Sequence, residues 1–201
     1  MVSAIFRPGK AMRKLLESRR PVRRAALFIV GVGVLYSVTS AVLAVAGAVP
    51  MAPVLFGIDV DNYYFWQMVF ILPWALASWM FAAGIIRLLG GREKGGPGFG
   101  GTAALGAVAM VSPLVLAWVP SAVEALFQAL GMGQEEWVSI LSDPGPWQTA
   151  YLVIYAIAAA LTVRNFLLAA RIGRKKPGPG AVIGGIAAAA GTIGAYVALI
   201  R

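Results

Sequence analysis

Five long runs of the chain contain no Asp, Glu, Lys or Arg, and they restrict the fold more than any other feature. They cover residues 25–58, 62–86, 95–123, 144–163 and 177–200. A helix rises about 1.5 Å per residue, so about 20 apolar residues cross a hydrocarbon core of about 30 Å. Each run can therefore cross a bilayer once. Its richness in Ala, Leu and Val favours helices over the alternating strands of a membrane barrel.

The composition excludes a single water-soluble globule. Charged residues make up 12% of the chain, whereas soluble domains carry about 25%. The absence of cysteine and histidine excludes disulfides, thiolate or imidazole metal sites and Ser-His or Cys-His nucleophiles. We therefore predict an all-α integral membrane bundle without enzyme activity, cofactor or metal. Its five transmembrane helices are predicted near 25–48, 63–89, 101–123, 147–170 and 180–200.

Charges alternate between the connections. Sixteen of the 17 basic residues, counted along the sequence, precede the first predicted helix or lie around the second and fourth connections. The first and third connections carry carboxylates and no Lys or Arg. The positive-inside rule then places the N-terminus in the cytoplasm and, after an odd number of crossings, the C-terminus outside. In an alternative interpretation, the first helix is a secretory signal cleaved near Ala46-Gly47-Ala48. Its length of about 24 residues favours a retained anchor, because signal cores span about 7–15.

Residues 1–24 form a basic lead ahead of the transmembrane domain, residues 25–201. Met12, Leu15 and Leu16 recur at helical spacing, and most cations lie on the other side. This pattern predicts a short helix lying in the interface, with its cations against anionic headgroups. The charges could equally serve only to set the topology. Nucleic-acid binding is not expected, since the lead has one aromatic residue and no reading module.

The outer side is predicted to carry a small amphipathic cap. Residues 121–130 continue the third helix, with Leu126 and Leu130 on its apolar face and Glu124 and Gln128 turned away from that face. A second short helix is predicted at 134–141, with Trp137 as its anchor in the interface. Prolines interrupt helices two and three, where each removes one backbone hydrogen bond. These prolines are Pro73, Pro113 and Pro120.

Polar residues within a membrane are costly, and few are present. Arg164 and Asn165 lie about two turns from the predicted cytoplasmic end of helix four, and Arg87 about one turn from that of helix two. Both arginines are expected to snorkel to the headgroups. The alternative is that Arg164 faces the bundle, where it binds an anionic headgroup or forms a polar network with Asn165. Glu124 is a candidate coupling carboxylate, although an interfacial position is expected.

Helix five is rich in small residues. Gly184 and Ala188 belong to one row with a spacing of four, and Gly191 and Ala195 to another. Such rows let helix backbones approach closely. They predict either a dimerisation face or, with preference, packing of helix five against its own bundle.

The pattern of helices two and three resembles the bacterial branch of the Yip (Ypt/Rab-interacting protein) membrane family. The matching residues are Tyr64-Phe65-Trp66-Gln67, Pro73-Trp74, Phe81-Ala82-Ala83-Gly84, Leu88-Leu89-Gly90-Gly91, Phe99 and Pro113. The lead Arg7-Pro8-Gly9-Lys10 is also similar. The resemblance implies five helices, a cytoplasmic N-terminus and a place in the bacterial cytoplasmic membrane. It implies a role in membrane organisation, although the Asp-Leu-Tyr-Gly-Pro motif of eukaryotic members is absent, and small-GTPase binding is not carried over.

The expected function is association with lipid, anionic lipid included, with a second copy, or with a membrane-protein partner. The alternative is a small-solute, ion or lipid transporter with a path between helices two, three and four. A transporter requires a continuous polar cavity, whereas an association protein requires a dry bundle.

Overall fold

In the computed structural model, residues 2–50, 59–90, 96–174 and 178–200 are described, and their regular structure is helical. The helices are α1 (Val2–Phe6), α2 (Pro8–Leu16), α3 (Pro21–Val45), α4 (Tyr63–Gly90), α5 (Phe99–Ala129), α6 (Gln134–Ser142), α7 (Pro146–Ile172) and α8 (Pro179–Ile200), with a 3₁₀ turn at Val60–Asn62. In this described part, α3, α4, α5, α7 and α8 are long and apolar enough to cross a membrane. The predicted all-helical class and the five helices long and apolar enough to span a membrane are confirmed for the described residues.

Proline is the first residue of three of the long helices, α3, α7 and α8. α3 and α7 both start with proline at the first helical position, where the missing N–H would have no partner in the helix. The predicted starts at 25, 147 and 180 lie about one to four residues after the observed ones. α5 contains Pro113 and Pro120 without ending at either, because the carbonyls that they free can find partners on neighbouring helices.

The long helices pack as a ring in the order α3, α4, α8, α7 and α5, and α5 also contacts α4. α5 is the most buried of the five long helices and is called the central helix below. In its 18-residue apolar stretch 72% of the residues are buried, compared with 28–39% in the other four helices. Its inner surface carries Ala103, Ala104, Ala107 and Ala109, all buried. These short side chains allow the neighbouring helices to approach closely.

The two ends of the bundle differ in charge. The basic end brings together the start of α5 and the ends of α4 and α7, with Arg87, Arg171 and Arg174. The acidic end carries Asp59 and Asp61 before α4 and the two glutamates of α6.

The amphipathic helix of the basic lead packs on protein. Met12 and Leu15 of α2 are buried, and α2 contacts α5 and α7. A Cβ added at Gly9 would lie 3.3 Å from Leu168 Cδ2, so this contact is close. The prediction that the apolar face of this helix lies in the headgroup interface was wrong, because the bundle already covers it.

Trp137 of α6 is also placed differently from its prediction. Its side chain is 1% exposed, and its ring centroid lies 5.7 Å from that of Phe127 and 6.1 Å from that of Tyr151. The predicted short helix is present at Gln134–Ser142, but its tryptophan joins α6 to α5 and α7 and is buried in protein. Aromatic rings at these distances favour such packing.

Candidate functional site

Asn165 joins α7 to the central helix. It is completely buried, and its Nδ2 donates hydrogen bonds to Ser112 Oγ at 2.8 Å and to the Ala109 carbonyl at 3.3 Å. An α-helical carbonyl normally accepts from the N–H four residues later, and for Ala109 that residue is Pro113, which has no N–H. The Asn165 amide therefore supplies the donor that Pro113 removes. Such replacement makes a proline tolerable inside a membrane helix.

Arg164 lies beside Asn165 in sequence but points out of the bundle. Its side chain is exposed, whereas that of Asn165 is buried, since consecutive residues on a helix are about 100° apart. The alternative in which Arg164 faces the bundle and shares a network with Asn165 was wrong. On translocon-derived scales an arginine at the centre of a membrane helix costs about 2.5–3.5 kcal/mol, so an outward-facing Arg164 requires contact with headgroups or with another polar partner outside the bundle.

Arg87 is partly buried at the basic end. Its Nη1 donates a hydrogen bond to the Pro97 carbonyl at 3.1 Å, which ties α4 to the segment before α5. Arg87 and Arg174 also line a small pocket of about 60 Å³ between the ends of α4, α5 and α7. Arg87 therefore has a structural contact within the chain.

Two open grooves run along α7 near the basic end. The first, called the α7 groove below, has a volume of about 660 Å³ and is lined by Ala160, Val163, Arg164, Leu167, Leu168 and Arg171. The second, the α2 groove, has a volume of about 500 Å³, lies between α2 and α7 and includes Arg13, Glu17 and Arg174. Leu168 and Arg171 line both grooves, so the two form a continuous surface.

The small residues of α8 are used inside the chain. Gly184 and Ala188 are buried, and a Cβ added at Gly191 would lie 3.4 Å from side-chain atoms of Ile85 and Phe81 on α4. The Ala195 carbonyl accepts a hydrogen bond from Trp74 Nε1 at 3.0 Å. Through these contacts α8 packs against its own bundle, which is the arrangement that the sequence analysis preferred over a dimerisation face.

Gly185 makes a closer contact than Gly191 or Gly194, although it belongs to neither row of small residues selected from the sequence. A Cβ there would lie 3.0 Å from Leu167 Cα and 3.1 Å from the Phe166 carbonyl. Both are backbone atoms of α7 and cannot move independently. Small-residue spacing alone did not identify this position, because helix five has small residues on almost every side.

The C-terminal end of α5 turns the opposite face toward the bundle from the one predicted. Glu124 and Gln128 are each 8% exposed, whereas Leu126 is 58% and Leu130 75% exposed. The predicted orientation of residues 121–130, with Glu124 and Gln128 turned away from the packed face, was therefore wrong. Next to a lipid phase an apolar side chain faces outward without penalty, while polar groups gain by facing protein partners. Gln128 Nε2 donates to Gln134 Oε1 at 2.7 Å, so this face has a polar partner on α6.

A lateral cleft of about 330 Å³ opens between α5, α7 and α8. Most of its lining is apolar, and the hydroxyls of Thr162 and Thr192 donate to carbonyls of their own helices at 2.8 Å. The sequence did not predict this cleft, since the alternative transport path was placed between helices two, three and four, which are α4, α5 and α7, without α8. Within that path, the contact between α4 and α5 is closed. That contact is occupied by Trp79, whose Nε1 donates to the Ala103 carbonyl at 2.6 Å and whose ring lies against Gly106.

No protein-family model, curated protein or solved structure matches this chain. The resemblance to the Yip family therefore stays a prediction. Within the described part of the chain, the arginine-lined grooves and the exposed cations of α2 are the features that best suggest a ligand, because they present positive charge to an anion.

Proposed function

We propose that this protein is an integral membrane protein that associates with the anionic headgroups of one leaflet through its basic end. In this proposal the basic end faces the cytoplasm, as the positive-inside rule predicts, and the C-terminus lies outside. The bacterial cytoplasmic membrane and a Yip-like role in membrane organisation belong to the same proposal. Lipid is favoured over a second copy as partner, because the small residues of α8 contact α4 and α7 of the same chain.

The observation that carries the proposal is the way α2 is held. Its apolar residues Met12 and Leu15 are buried against the bundle, while Lys10, Arg13 and Lys14 are exposed. The fold therefore holds these cations on the outside of the basic end, and in this proposal they face the anionic headgroups. Each basic residue near an anionic leaflet contributes about 1 kcal/mol, and salt screens this attraction.

Reconstitution into vesicles tests the proposal. The unfolding temperature should be higher in phosphatidylcholine vesicles that contain phosphatidylglycerol than in phosphatidylcholine alone, and added salt should reduce the difference. The double variant Lys10→Gln, Lys14→Gln should lose part of it, because these cations face outward. The double variant Asp59→Asn, Asp61→Asn at the acidic end is the matched control and should retain all of it. Equal unfolding temperatures of the parent protein in both lipids at low salt would contradict the proposal.

A further inference from the structure

We propose that the α7 groove binds the phosphate of one anionic phospholipid, held below the general headgroup level by Arg164 and Arg171. This inference rests on the proposed function, because it requires the basic end to face an anionic leaflet. It adds a defined site with one lipid bound to it.

Arg164 and Arg171 present their side chains along one line of α7. They are seven residues apart, so their directions differ by about 20° and their backbone positions by about 10 Å along the axis. Both line the α7 groove. An elongated ligand lying along α7 can therefore contact both guanidinium groups.

In this proposal Arg164 lies deeper in the membrane than ordinary headgroup contacts. α7 has 27 residues and is about 40 Å long; placed upright and centred on a hydrocarbon core of about 30 Å, it extends about 5 Å beyond the core at each end. Arg164 precedes the last residue of α7 by about 12 Å, so its backbone lies about 7 Å inside the hydrocarbon boundary. Its Cβ is tilted toward the start of α7, away from the basic end, which opposes snorkelling.

The charges around the groove favour an anion. Within the described part of the chain, Arg13, Arg164 and Arg171 make no ion pair. Glu17 is the one carboxylate among the residues that line the α7 and α2 grooves, against four arginines. A guanidinium group is always charged and matches a phosphate through paired hydrogen bonds.

The apolar part of the groove favours a lipid over free phosphate. Val163 is exposed and Leu167 partly exposed beside the two arginines, and Ala160 extends the groove toward the membrane centre. A phospholipid can place its phosphate at the arginines and one acyl chain along these side chains. Inorganic phosphate would contact the arginines but not these apolar side chains. It would also have to enter the hydrocarbon layer without an acyl chain attached.

Native mass spectrometry of the detergent-solubilised protein tests the site, with phosphatidylglycerol and phosphatidylcholine as probes. One phosphatidylglycerol should bind in preference to phosphatidylcholine. Its affinity should fall about fivefold for each arginine lost in Arg164→Leu and Arg171→Leu, and Arg164→Lys should retain part of the binding. The control is Arg23→Leu with Arg24→Leu, which removes two exposed cations outside the grooves and should change the affinity less than twofold. Unchanged unfolding temperatures in detergent will show that the variants are folded.

The outcomes separate the two proposals. If phosphatidylglycerol is preferred but the arginine variants bind it as well as the control variant does, the defined site is overturned and the general leaflet association stands. If the parent protein does not distinguish the two lipids, both proposals fail. If inorganic phosphate displaces the bound phosphatidylglycerol, the site recognises a free anion and the assignment to a lipid is overturned.

Discussion

Replacing Asn165 by leucine should show how this bundle tolerates a proline in its central helix. The substitution keeps a similar volume but removes the two hydrogen bonds from Nδ2 to Ser112 and to the Ala109 carbonyl. Interhelical hydrogen bonds in membranes contribute about 0.6 kcal/mol each on average and at most about 1.7 kcal/mol. Asn165 Oδ1 accepts no hydrogen bond within the described part, so leucine also relieves one buried polar atom. We expect a net destabilisation of about 1–2 kcal/mol.

The second substitution, Pro113→Ala, makes the prediction specific. Alanine restores an N–H that can bond to the Ala109 carbonyl, so the Asn165 amide is no longer required there. In that background, Asn165→Leu should lose only the bond to Ser112, at about 0.6 kcal/mol. The double-mutant cycle should therefore give a coupling energy of about 0.5–1.5 kcal/mol between Pro113 and Asn165.

Equilibrium unfolding in mixed micelles, with a denaturing detergent as titrant, measures these free energies. Thr162→Val on the same helix is the matched control, because the Thr162 hydroxyl donates to Ala158 of its own helix. It should change stability by less than about 0.5 kcal/mol. If Asn165→Leu destabilises the protein equally with proline and with alanine at position 113, the explanation based on the freed carbonyl is refuted.

Two further predictions concern the contacts of α8 and α4. Gly185→Ala should destabilise the bundle, because the new Cβ would meet α7 backbone at 3.0 Å, whereas Gly194→Ala, with nothing within 4 Å of its Cβ, should stabilise it by up to about 1 kcal/mol. Unfolding of both variants in mixed micelles checks this, and a loss of stability at Gly194 would contradict it. Trp79→Phe should destabilise by about 1 kcal/mol through loss of its bond to Ala103, and Trp66→Phe, at a 41% exposed position, should have little effect. Equal effects of the two tryptophan variants in the same assay would show that the buried bond contributes nothing.

Charge-free length predicted the five spans because a bilayer sets a minimum apolar length regardless of how helices pack. The charge clusters correctly grouped Arg87, Arg171 and Arg174 at one end. The errors concerned which side of a helix faces protein. For residues 121–130, the apolar side was taken as the packed one, yet Leu126 and Leu130 are exposed and Glu124 is buried.

The candidate site shows the same division. The sequence identified Arg164 and Asn165 as unusual, because polar residues are rare in membrane spans. It could not determine that Asn165 donates to the Ala109 carbonyl, which Pro113 leaves without its helical partner. Ala109 and Asn165 are 56 residues apart in the chain. The sequence also could not show that α2 packs beside α7, where Arg13 and Arg171 line the same groove.

The sequence by itself determined the helical class, the number of apolar spans and the separation of basic from acidic connections, because lipid acts on every residue of a span in the same way. Tertiary structure decided which residues face inward, since an apolar side chain next to lipid has no preference between lipid and protein. It also decided the pairing of Asn165 with α5 and the joining of the α2 and α7 grooves. Those contacts depend on how helices distant in sequence pack together, and local pattern carries no information about that packing.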